Sequence, residues 1–130
     1  MWLHPEADAM LLRGPVAGRA LRLRHRPARV GAAVTYRTWS PVGNDLVLFD
    51  ITGWLSARDV RSGSLMCPVC DLYQLEAAPG ASGSAIVDVN GRVVGLLTGG
   101  VNHALRPIVV TPWAPLSDIR AIIRGYDQIG

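Results

Sequence analysis

The sequence predicts an all-β chain followed by one C-terminal α-helix, and three observations carry that expectation. Apolar residues alternate with polar ones in short runs that end at Gly, Pro, Asn or Asp, the period of half-buried strands. Two of these runs, Ala85-Ile86-Val87-Asp88-Val89 and Arg92-Val93-Val94-Gly95-Leu96-Leu97, flank Asn90-Gly91, the dipeptide that type I′ hairpin turns prefer. After Pro112-Trp113 the spacing changes, and Leu116, Ile119, Ile122 and Ile123 recur on one helical face.

In chain order, the first strand is expected near Ala7–Leu12, where an apolar run follows Asp8. The second, Ala20–Arg24, alternates Leu with Arg, and the third, Ala32–Arg37, alternates Val34 and Tyr36 with Thr35 and Arg37. Leu46–Leu55 is rich in β-branched and aromatic residues, Ser64–Met66 continues with Leu72–Leu75, and Ser84–Val89, Val93–Leu97 and Pro107–Thr111 complete the set. Counting from Ala32 gives about six strands. Ser117 is placed to cap the final helix and Gly125 to end it.

Composition bounds the class. With 130 residues, 49% hydrophobic and 18% charged, the chain is expected to form one compact domain with a real core. No apolar run approaches the ~18 residues of a membrane span, and the first residues lack a signal-peptide layout, so a soluble protein is expected. The net charge of +3 is carried by arginine alone, because the chain has no lysine. Arg19, Arg22, Arg24, Arg26 and Arg29 crowd together with His25, yet no aromatic residues interleave with them, so nucleic acid is not the expected partner. A solvated strand and linker is the expected setting of this run. Both cysteines sit in Cys67-Pro68-Val69-Cys70, which supplies half the ligands of a zinc site; a tight turn with free thiols or a local disulfide is expected, with no metal and no cofactor.

Chemistry concentrates in Pro79-Gly80-Ala81-Ser82-Gly83-Ser84. A serine becomes a nucleophile when a neighbour takes its proton and backbone N–H groups stabilise the oxyanion it creates. Glycines on both sides let the chain bend sharply enough to aim those N–H groups inward. An α/β-hydrolase would read G-x-S-x-G and enter a helix, whereas here the second glycine follows at once and a hairpin comes next.

The stretch from Tyr73 to Val87, together with Asn90-Gly91-Arg92-Val93-Val94-Gly95-Leu96, resembles the nucleophile region of trypsin-fold serine proteases, and most of all their HtrA-like branch. Ile51-Thr52-Gly53-Trp54-Leu55-Ser56-Ala57 and Val30-Gly31-Ala32-Ala33-Val34 resemble the second and first strands of that family's C-terminal barrel. Ala7-Asp8-Ala9-Met10-Leu11-Leu12 is similar to the strand that bears the triad aspartate. The resemblance implies a trypsin-like six-stranded antiparallel β-barrel with a C-terminal α-helix, in which residues 30–130 form the C-terminal barrel and helix. Residues 1–29 would be the end of an N-terminal barrel and the linker.

The resemblance also implies roles. Ser82 would be the nucleophile, Asp8 the residue that orients a histidine, and the N–H groups of Gly80 and Ser82 the oxyanion hole. Thr98, Gly99 and Gly100 would form the edge along which a peptide substrate pairs. Ala81 stands where the family often has Asp or Asn. Glu76 lies six residues before Ser82, where basic-residue-specific relatives carry an acidic group, but the HtrA-like alignment makes it a wall residue. The family's histidine lies several strands before the aspartate, and His4, His25 and His103 are expected to be surface or loop residues instead. Two functions follow: a serine endopeptidase that depends on a His-bearing barrel, or a protease-like module that binds peptide or builds an assembly without catalysis. Both imply a partner chain or an oligomer, since a lone barrel exposes an apolar face.

Overall fold

The computed structural model of the chain describes residues 2–5, 7, 9–12, 14, 15, 17–61, 68–76, 78, 80–99 and 108–129. A small two-stranded sheet, β1 (Trp2–Leu3) and β2 (Met10–Leu11), stands apart from a larger one. The larger sheet is a closed six-stranded antiparallel barrel of β3 (Ala33–Val42), β4 (Asp45–Arg61), β5 (Val69–Gln74), β6 (Ala85–Asp88), β7 (Val93–Gly99) and β8 (Ile108–Thr111). One helix, α1 (Trp113–Ile129), follows and lies against β7.

Period-two burial explains why these residues are strands. On β3, Val34, Tyr36 and Thr38 turn inward while Ala33, Arg37 and Trp39 face water. β3 pairs along its whole length with β4, from Ala33↔Trp54 to Val42↔Asp45, and Gly43-Asn44 is the two-residue turn between them. β4 then passes to β5, with register shifts between Leu55 and Ala57 and between Ala57 and Val60. A strand of 17 residues must bend to serve two neighbours around a barrel, and bulges supply the bend. Asp59, at φ 52, sits in the second of them.

The barrel runs β3-β4-β5-β8-β7-β6 and returns to β3. It consists of two three-stranded meanders, and the segment from Leu75 to Ser84 crosses between them, because β5 and β6 are consecutive in the chain but not neighbours in the sheet. Tyr36, Leu55, Tyr73, Ile86, Val94, Ile108 and Val110 fill the interior, each at most 1% exposed. Among the described residues no helix is long and apolar enough to cross a membrane.

Several boundaries differ from the sequence reading. Ala7–Leu12 contributes only the two residues of β2, and Ala20–Arg24 is no strand: Leu23 makes a single parallel bridge to Val93, flanked by Arg24 N–H to Val93 O at 2.9 Å and Val93 N–H to Arg22 O at 2.8 Å. The arginine run is exposed at Arg19, Arg22, His25, Arg26 and Arg29, as a solvated linker would be, but it is a strap bonded to β7 rather than a strand. β3 and β4 both outrun their expected ends, since antiparallel partners extend each other. Ser64–Met66 and Pro107 lie outside the described residues. Cys70 belongs to β5 rather than to a turn and is buried with Sγ 3.6 Å from Val60 O, while Cys67 lies outside the described residues.

Two turn assignments also change. Asn90 does not take the positive φ that a type I′ turn demands; Gly91 alone does, at φ 75. The Asp88 carboxylate accepts from the N–H groups of Asn90 (2.9 Å) and Arg92 (3.0 Å), which spreads the connection over Val89 to Arg92. The helix starts at Trp113, so Ser117 is inside it, and it runs through Gly125 to Ile129. Pro115 falls in the first turn, where a missing N–H breaks no helical bond.

Gly53 faces β5 so closely that a Cβ there would lie 1.8 Å from the carbonyl oxygen of Gln74. Gly53→Ala is expected to destabilise the barrel by about 3 kcal/mol or more, because backbone cannot yield as a side chain can; thermal and urea unfolding measure it. Asp71 gives a pH-dependent counterpart. Burial pushes its carboxyl up, against the smaller opposing effect of the hydrogen bond from Asp59 N–H at 2.9 Å. A carboxyl whose folded value lies above its unfolded one favours folding fully below the ordinary 3.8, and that contribution is lost as pH rises through the raised value. Asp71→Asn keeps an acceptor for Asp59 N–H without a buried charge. It is expected to be more stable than wild type at pH 7, with the difference shrinking as pH falls toward 3.8 in urea titrations.

Candidate active site

The crossing segment carries the serine because a chain that changes meanders at the barrel end must turn twice in few residues. Gly80 at φ 77 and Gly83 at φ 89 make these turns, in a region where a side chain would clash with its own backbone. Between them Ala81 is 2% exposed and points into the core, which leaves Ser82 on the outside.

Backbone bonds fix this bend from both sides. Ala81 N–H donates to Ala78 O at 3.2 Å, and Ser84 N–H donates to Ala81 O at 3.0 Å. Gly83 N–H donates to Leu97 O at 2.7 Å and Leu97 N–H to Ser84 O at 2.9 Å, so the bend is stitched to β7. The Ser82 hydroxyl lies 3.5 Å from Thr98 O, and the Thr98 and Thr111 hydroxyls are 3.0 Å apart. Among the described residues, the N–H groups of Gly80 and Ser82 have no acceptor, while those of Ala81 and Gly83 between and beside them are used. Two unspent N–H groups flanking a serine hydroxyl are what an oxyanion would need.

Tyr36 is the residue the sequence reading missed. Its ring fills the core at 1% exposure, and its hydroxyl donates to Glu76 O and accepts from Ala78 N–H at 3.2 Å. Burial pushes the phenol up, the Ala78 N–H opposes this, and the nearby Glu76 charge adds to it. A phenol held protonated keeps the proton it donates to Glu76 O. The inward register of Val34, Tyr36 and Thr38 was the available signal, since a buried tyrosine hydroxyl needs a partner.

The other expected site residues divide into two groups. Thr98 and Gly99 end β7, with Thr98 O 3.5 Å from the Ser82 hydroxyl, while Asp8, Gly100 and His103 lie outside the described residues. Glu76 is exposed and contributes its carbonyl to Tyr36. His4 is a loop residue just after β1, with its side chain 6% exposed and Nε2 3.0 Å from Asp118 Oδ2 on α1. His25 lines a groove beside α1. Neither of these two histidines is bonded to Ser82. Among the described residues, no group of three or more His, Cys, Asp or Glu is placed to hold a metal ion.

No model of a protein family matches the chain, and no curated protein matches it in sequence. Solved structures do. Rv3671c from M. tuberculosis H37Rv, an inactive serine-to-alanine mutant, is 20% identical at a TM-score of 0.56, over 81% of this chain and 53% of that one. Kallikrein-related peptidase 10 is 22% identical at a TM-score of 0.62, over 95% of this chain and 70% of that one. The Rv3671c protease in an inactive form is 24% identical at 0.52, over 70% of this chain and 48% of that one. At such identities the likeness carries the fold, which is the trypsin type. The chain spans about half of the Rv3671c chain.

Tyr36→Phe removes the hydroxyl and leaves the ring. The unpaired Ala78 N–H and Glu76 carbonyl are expected to cost about 1–3 kcal/mol. Amide exchange at Ala78, Ala81 and Ser84 is expected to rise more than exchange in β7, as read by hydrogen–deuterium exchange.

Proposed function

We propose that this chain is the nucleophile-bearing half of a serine endopeptidase of the HtrA-like kind. Ser82 attacks the scissile carbonyl, and the N–H groups of Gly80 and Ser82 receive the oxyanion. The observation that carries this reading is the bend itself, an exposed serine between two positive-φ glycines with unspent N–H groups on both of its oxyanion-side positions. The substrate is an extended peptide laid along the end of β7 at Thr98 and Gly99, where strand pairing would hold it beside Ser82, and Gly100 is the next residue in sequence.

The general base in this reading is a histidine on a companion barrel, oriented by Asp8. Ser82 has the carbonyl of Thr98 as its hydrogen-bond partner, and a carbonyl does not take a proton at neutral pH. Leu3, Met10 and Leu12, all about half exposed or more, support association of the β1–β2 end with further chain or a partner. The same carbonyl contact favours a second reading, a peptide-binding module of an assembly in which Ser82 performs no chemistry.

A fluorophosphonate probe separates the two. The 130-residue chain alone is expected to label slowly or not at all, and addition of the His-bearing barrel to restore labelling that Ser82→Ala abolishes while leaving the fold intact. Fast labelling of the lone chain would reject the companion base. Labelling that survives Ser82→Ala would reject the nucleophile, and a complete complex that binds peptide without labelling would establish the second reading.

A further inference from the structure

We propose that the groove between the arginine strap and α1 binds a single-chain aliphatic anion, a hydrocarbon tail ending in a carboxylate or phosphate head. The groove has a volume of about 500 Å³, within the range of small-molecule sites. It lies between the strap and the helix and rests on nothing in the serine reading.

Charge selects the head group. Arg22, Arg92, Arg120 and Arg124 line the groove, and no acidic residue does. Outside the groove Arg24 pairs with Asp88, Arg37 with Asp50 and Arg58 with Asp59, while among the described residues Arg19, Arg26, Arg29 and Arg61 stand without a carboxylate partner. Among the described residues, none of the four lining arginines is paired with a carboxylate. Arg120 and Arg124 are one helical turn apart, a spacing at which like charges repel. A guanidinium cluster left open in this way suits a planar carboxylate or a phosphate.

Apolar lining selects the tail. Leu23, Leu96, Leu116 and Ile119 form the floor, and the exposed Leu21 and Ile123 continue it to the mouth. A bare anion would leave this floor in water, and a neutral hydrocarbon would leave the arginines unpaired. No Phe, Tyr or Trp lines the groove, and its single imidazole, His25, is too little for a run of stacked nucleobases.

Calorimetry of the full 130-residue chain with dodecanoate and with dodecyl phosphate, both below their micellar concentrations, tests the assignment. One or both are expected to bind one to one, with Kd on the order of 10 µM and weaker at high salt. Arg120→Gln/Arg124→Gln is expected to weaken binding at least about tenfold, while the unliganded melting temperature stays level or rises as the repulsion is relieved. If that double variant fails to fold, Arg22→Gln/Arg92→Gln carries the same expectation. Failure of both anions to bind, equal binding by dodecyltrimethylammonium, equal binding by inorganic phosphate, tighter binding by a Glu-rich peptide, or undiminished affinity in a folded double variant would each overturn it.

Discussion

Closure of the barrel at its shortest seam governs the rest of the molecule. β3 meets β6 through Val34↔Asp88 and Thr35↔Val87, and without this contact both meanders would present open edges. The seam places β6 beside the first strand of the barrel rather than beside β5, so the chain has to cross the barrel end between Leu75 and Ser84. The bend that exposes Ser82 is a consequence of that crossing. Tyr36 lies one residue beyond the seam on β3, and its ring packs the interior while its hydroxyl holds the crossing segment at Glu76 and Ala78. Core packing and site geometry therefore share one side chain.

Asp88, at the other end of the seam, shows the same economy in electrostatics. Its carboxylate caps the Asn90 and Arg92 N–H groups and approaches the Arg24 guanidinium at 3.8 Å. Trp113 Nε1 donates to Arg24 O at 2.7 Å, and β7 accepts and donates on either side of Leu23. The arginine strap is thus held by the hairpin below and the helix above, with His4 and Asp118 joining the small β1–β2 sheet to the same helix. A run that composition describes as solvated charge becomes a wall of the α1 groove.

Much of the fold was legible in the sequence. Alternation placed β3 through β8 near their observed positions, and the changed spacing after Pro112 found α1, because burial of one face follows directly from residue type and period. Boundaries were less legible. Gly125 did not stop the helix and Asn90-Gly91 did not form a type I′ turn, since a preferred local conformation yields when a neighbouring carboxylate or continued packing offers more.

For the site, the sequence by itself determined that a serine would stand between two glycines ahead of a hairpin, because only glycine takes the backbone angles found at positions 80 and 83 without strain. The tertiary structure alone decided which partners that serine would have. Tyr36 and Ala78 are 42 residues apart, Ser82 and Thr98 are 16 apart, and Trp113 and Arg24 are 89 apart. Contacts over such separations leave no local pattern in a chain. They exist because closing the barrel sets strand register, and register fixes which side chains face one another.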